Sequence, residues 1–268
     1  MRLFPLILTL LCFACSKGKD VRSSKSSLNP YETTSNYFST TTSLTVEVAY
    51  ESGQEPFANG TTLTVSGNTV PIWQILDENL NALFLGRAVY PVITVPKQIE
   101  DMKELPVQGK ASWTAEDLVA LSQKYRTGKS SSTETYFWVV FLAGYFNDGT
   151  TDLPTTVGVS IGGTTVIAIF KDVVRATGNG LGIVPRYVEQ ATVVHEIGHA
   201  LGLVDNGLPM KEAHKDADGH GAHCNNPDCV MYWLNEGRTD LVQFAIRMST
   251  SGSIIMYDQK CLKDAREF

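Results

Sequence analysis

The chain has 268 residues, is 43% hydrophobic, carries a formal net charge of −6 and has a mean hydropathy of −0.05. That is enough apolar material for the core of one large domain or two small ones, and too little for a membrane bundle. The negative balance, with no basic run interleaved with aromatics, argues against a nucleic-acid partner.

In chain order, residues 1–15 read as a targeting segment. Arg2 is followed by an almost wholly apolar stretch to Ala14, the length of a signal core and too short to span as a helix. Phe13-Ala14-Cys15-Ser16 resembles a bacterial lipobox, although Cys12 stands where an aliphatic residue is usual. The resemblance implies export, lipidation of Cys15 and an anchor in a bacterial membrane, with the outer membrane or cell surface favoured by Ser16. Ordinary cleavage or an uncleaved anchor is the alternative. Residues 16–43 are rich in Ser, Thr and Lys and read as a linker, leaving 44–268 as the catalytic body.

Leu44, Val46, Val48 and Tyr50 alternate with other residues as in a strand, and Thr61–Val65 suggests another. Behind Pro71, apolar residues from Ile72 to Leu83 recur at helical spacing. Ala88–Val95 reads as a strand. Thr114, with Asp117 three residues on, predicts a capped helix to Tyr125. Thr135–Phe146 is a near-continuous apolar run, as in a buried central strand. Val157–Phe170 reads as a strand broken at Gly162-Gly163, able to act as the hairpin or edge that pairs with an extended substrate. Pro185 then opens a helix expected to reach about Leu203. Further on, Leu241–Met248 and Asp258–Phe268 read as helices. Strands alternating with helices predict an α+β body with a mixed sheet.

The stretch His195-Glu196-Ile197-Gly198-His199-Ala200-Leu201-Gly202-Leu203-Val204-Asp205 carries the chemistry. On a helix, residues i and i+4 lie on one face, so His195 and His199 can grip one ion. Two neutral imidazoles suit zinc, and the neighbouring Glu196 can take a proton from an activated water. A catalytic zinc needs a third protein ligand. Gly202 lets the chain turn out of the helix, which makes Asp205 the first candidate. His223 and His214 are the alternatives, His214 with Asp216 as an orienting partner.

This pattern, HExxHxxGxxD, followed by a later methionine, resembles the metzincin clan of zinc peptidases. Asp205 in the third place is similar to the snapalysin type. His223-Cys224-Asn225-Asn226-Pro227-Asp228-Cys229-Val230-Met231 resembles the tail of archaemetzincins, where the His of the His-Cys pair is the third ligand. Here about twenty residues separate Gly202 from His223, which departs from that pattern. Asn235 to Asp240 also resembles a thermolysin-type motif, in which Glu236 would be the ligand.

The clan resemblance covers about residues 185–235. It implies a zincin-like fold, with an active-site helix and a smaller C-terminal subdomain closed by a Met-turn at Met231. Met256 is a weaker candidate for that turn, and Tyr232 and Tyr257 are candidate oxyanion donors. It also implies one catalytic zinc, Glu196 as general base, a peptide or protein substrate and action as a monomer. A silent binding module on the same fold, and a zinc exopeptidase or amidase, are the competing readings. In the exported body, the spacing of Cys224 and Cys229 makes them a disulfide candidate, leaving Cys261 over; a structural metal site that also uses Cys261 is the other option.

Overall fold

The computed structural model describes residues 29–268 except 66–67, 179–181, 183, 233–237 and 252. The targeting segment, Cys15 and Glu236 lie outside the described residues.

The elements in chain order begin with α1 (Thr34–Ser39), β1 (Ser43–Glu51), β2 (Thr62–Val65), β3 (Asn68–Pro71) and α2 (Gln74–Phe84). Next come β4 (Val92–Thr94), β5 (Lys103–Leu105), β6 (Ser112–Trp113), α3 (Ala115–Tyr125), β7 (Glu134–Leu142), β8 (Tyr145–Asn147) and β9 (Asp152–Leu153). The chain closes with β10 (Gly158–Ser160), β11 (Val166–Phe170), α4 (Lys171–Arg175), α5 (Val184–Leu201), α6 (Arg238–Ser251) and α7 (Gln259–Arg266). The fold is α+β with a mixed main sheet, as its alternating pattern predicts.

In that sheet β10, β11, β7 and β1 lie side by side, and β4 and β5 pair with opposite ends of the far edge of β1. All pairings are parallel except β10 with β11. The central strands β7 and β11 are buried almost throughout, which is why they read as continuous apolar runs. Two small sheets, β2–β3 and β6–β8–β9, sit apart from it.

Several boundaries move. The run predicted over 135–146 is two strands, because the chain turns at Ala143-Gly144 and β8 joins β6 instead. Ala88–Val95 yields the short β4 alone, and α4 follows β11 without a sequence signal. Residues 29–43, assigned to the linker from composition, belong to the folded body. Tyr37 and Phe38 are buried, with Tyr37 against Phe137 and Phe38 against Phe84. Two adjacent aromatics are enough to dock a short polar helix, since each buries a large apolar area. The expected capping box is present, with Thr114 Oγ1 accepting from the Asp117 N–H and the Asp117 carboxylate accepting from the Thr114 N–H.

The helix α5 carries the two histidines of the sequence motif and is buried over most of its length. It packs against β10, β11, α2, α4 and α6. Its one internal carboxylate away from the motif, Glu189, is paired with Lys171 at the start of α4 and accepts the Phe57 N–H. Burial raises the Glu189 pKa, and the Lys171 charge opposes that shift. No described helix is long and apolar enough to cross a membrane.

Candidate metal centre

On α5, His195 and His199 lie one turn apart and face the same way, as the i, i+4 spacing requires. Their Nε2 atoms are 3.0 Å apart, and His223 Nε2 is 3.1 Å from that of His199. Two of the other ring nitrogens face backbone carbonyls. His195 Nδ1 lies 2.7 Å from the Val230 carbonyl, and His223 Nδ1 lies 2.6 Å from the His220 carbonyl. A carbonyl oxygen only accepts, so each Nδ1 carries the proton and each Nε2 presents a lone pair.

Bare lone pairs crowded together repel, and a shared cation relieves that repulsion. A tetrahedral zinc with bonds of about 2.0–2.1 Å has nitrogen–nitrogen edges of about 3.3 Å. The observed separations fit. The three histidines can thus hold one metal ion. Burial, together with the two neighbouring imidazoles, holds the His199 pKa well below the ordinary histidine value, so its ring is neutral as a ligand requires. Glu196 follows His195 on the same helix and is buried, at 6% exposure.

Asp205 is not in this cluster. α5 ends in a Schellman motif: Gly202, at φ +93°, donates to the His199 carbonyl and Leu203 donates to the Gly198 carbonyl. The next residues stay left-handed, Val204 at φ +57° and Asp205 at φ +60°. Leu203, Val204 and Leu208 are fully buried. Pulling these apolar residues inward turns Asp205 out to solvent, where its carboxylate lies 3.3 Å from Lys215 Nζ. The imidazole that joins those of His195 and His199 is that of His223, reached through the irregular segment that follows.

His214 belongs to a second cluster. Its Nδ1 lies 3.4 Å from Cys224 Sγ and 3.8 Å from Cys261 Sγ, while its Nε2 lies 2.7 Å from Asp264 Oδ2. Cys229 Sγ is 3.6 Å from Cys261 Sγ, and all three cysteines are buried and outside any disulfide. The disulfide expected between Cys224 and Cys229 is not formed: Cys224 lies against His214, and Cys229 against Cys261. Asp216, the expected partner of His214, pairs with His220. Burial alone would lower the His214 pKa, but its contacts with Cys224 and Asp264 raise it to about 9. Hydrogen bonds from Cys229, Cys261 and His214 hold the Cys224 thiol far below the usual thiol range. His214, Cys224, Asp258 and Cys261 also have the geometry to hold a metal ion. Asp258 is otherwise occupied, capping α7 through the Cys261 N–H and accepting from Asn226 Nδ2.

Met231 lies beneath α5, fully buried. A Cβ built on Gly198 would fall 2.5 Å from Met231 Sδ, 3.2 Å from the Tyr257 hydroxyl and 3.3 Å from Leu203 Cδ1. Glycine at 198 is what allows this close approach. Tyr257 is not free to serve as an oxyanion donor: it is buried and its hydroxyl donates to the Val194 carbonyl at 2.7 Å. Met256 contributes backbone here, its carbonyl accepting the Val230 N–H. Gly198→Ala is expected to destabilise the fold by about 1–3 kcal/mol by overpacking, read as a lower midpoint in urea, and to weaken metal binding as Met231 is displaced. Unchanged stability and metal affinity would show that Met231 is not wedged against the helix.

Comparison with protein-family models, curated proteins and solved structures returns no match for this chain.

Proposed function

We propose that the protein is a zinc-dependent endopeptidase in which His195, His199 and His223 hold the ion and Glu196 is the general base. The observation that carries this reading is the convergence of three Nε2 lone pairs, two of them with their tautomers fixed by backbone carbonyls, next to a helix carboxylate. A zinc ion in such a site acidifies a water and polarises a scissile carbonyl. Glu196 accepts the proton of the attacking water and delivers it to the leaving amine. The Val230 and His220 carbonyls keep His195 and His223 in the ligating tautomer. Met231 forms the floor of the site, the role of a Met-turn, and the body is of zincin type.

The edge strand also supports a peptide substrate. The hairpin expected over 157–170 forms, and its outer strand β10 has no further partner among the described strands. An extended chain can add to that edge by main-chain hydrogen bonds, beside the helix that carries the histidines. In the same reading the protein is an exported lipoprotein acting as a monomer.

The full-length protein in detergent is expected to contain zinc and to cleave casein. Removing the metal with a chelator abolishes cleavage, and added zinc restores it. Zinc without cleavage would favour a binding module, and a wild-type protein that binds no zinc would sink the peptidase reading.

A further inference from the structure

We propose that Asp216 is a positioning residue for the three-histidine site: acting through His220, it sets the place and the tautomer of His223. The inference rests on the three histidines being a metal site, though not on that site cleaving peptides.

His195 and His199 are held by the helix they share. His223 has no such support, because the residues between Gly202 and His223 form no helix or strand. Three hydrogen bonds close a circuit around it instead. The Asp216 N–H donates to the His223 carbonyl at 2.7 Å. His223 Nδ1–H donates to the His220 carbonyl at 2.6 Å. His220 Nδ1 lies 2.6 Å from Asp216 Oδ2, and an ionised carboxylate only accepts, so that nitrogen carries the proton. Asp216, His220 and His223 thus each give one bond and take one, and the ligand is one corner of the circuit.

The local fold serves this circuit. The Asp216 side chain is 9% exposed, so water competes little for its bonds. Its Oδ2 also accepts the Asp218 N–H at 3.0 Å, which turns the chain back at once. Gly219 and Gly221, both at φ +82°, flank His220 and complete the reversal. A Cβ on Gly219 would meet nothing within 4 Å, so backbone conformation and not space requires glycine there. Outside the circuit the two arms run antiparallel: Lys215 bridges Cys224, and the Asn225 N–H donates to the His214 carbonyl at 2.8 Å. The result is a hairpin that brings the His220 carbonyl to His223 Nδ1 and leaves His223 Nε2 for the ion. Metal-ligating histidines are commonly oriented by a carboxylate directly. Here the carboxylate acts one step removed, through the backbone of a second histidine. Without it, the ring of His223 has to be ordered when the ion binds, at the expense of affinity.

Two readings on the full-length protein in detergent test the role. Nitrogen–proton NMR of the metal-free protein, isotope-labelled at histidine, reports the tautomer of each ring, and the signal missing from His223→Ala identifies His223. Wild type is expected to show His223 with its proton on Nδ1, and Asp216→Ala to show both tautomers. Asp216→Ala is also expected to bind the zinc that His223→Ala loses about 10–100-fold more weakly, measured by competition with a chelator. Wild-type zinc affinity in Asp216→Ala, or a fall in affinity with His223 still held in the Nδ1–H form, would overturn the positioning role. If circular dichroism shows that Asp216→Ala does not fold, His220→Ala removes the ring that the carboxylate grips, keeps the carbonyl, and is expected to give the same two changes. A wild type from which His223→Ala removes no zinc would instead overturn the three-histidine site itself.

Discussion

Glu196→Gln is expected to leave the metal content unchanged and to reduce casein cleavage by at least about 10²–10⁴-fold, the range contributed by a positioned general base. The substitution keeps the size and shape of the side chain and removes the ability to accept a proton at neutral pH. The Val230 and His220 carbonyls, which hold the His195 and His223 rings, are unchanged by it. Metal analysis and cleavage measured on the same preparation separate the two effects. Substantial cleavage by the variant would remove Glu196 from its proposed role. Loss of metal would show instead that Glu196 supports the ligands.

His223→Ala is expected to empty the three-histidine site, while Asp205→Asn leaves it filled. A zinc site of three protein ligands loses its hold when one is removed. Asp205, by contrast, faces solvent and meets Lys215 at 3.3 Å, an exposed pair worth about 0–1 kcal/mol. Asparagine is the apt replacement because it tolerates the left-handed backbone at φ +60°. Zinc bound per chain, measured after equilibration against a weak chelator, reads the outcome. Loss of zinc in Asp205→Asn with retention in His223→Ala would reverse the assignment made here.

Local spacing alone carried the placing of His195 and His199 on one helix face, the start of their helix near Pro185, the turn out of it at Gly202 and the cap at Thr114. Each depends on a handful of consecutive residues and on backbone geometry, so each can be read along the chain. Burial and alternation likewise predicted β1, β7 and β11, because strands buried on both faces are apolar throughout.

The third member of the histidine cluster was not legible in this way. HExxHxxGxxD presents Asp205 at an attractive spacing, but the buried side chains of Leu203, Val204 and Leu208 decide which way the turn faces. His223 was visible only as an alternative, from its place before Cys224. The disulfide expectation failed for a related reason. A spacing in sequence limits which cysteines can bond, yet cannot foresee that Cys261 and His214 arrive at the same point in space. Composition similarly assigned residues 29–43 to a linker, whereas two aromatics, Tyr37 and Phe38, find partners in Phe137 and Phe84 and fold that segment onto the body. The sequence by itself thus determined the two-histidine helix and the secondary structure around it. The tertiary structure decided which distant residues complete each donor set, because long-range burial, not local spacing, sets where the ends of an irregular segment come to rest.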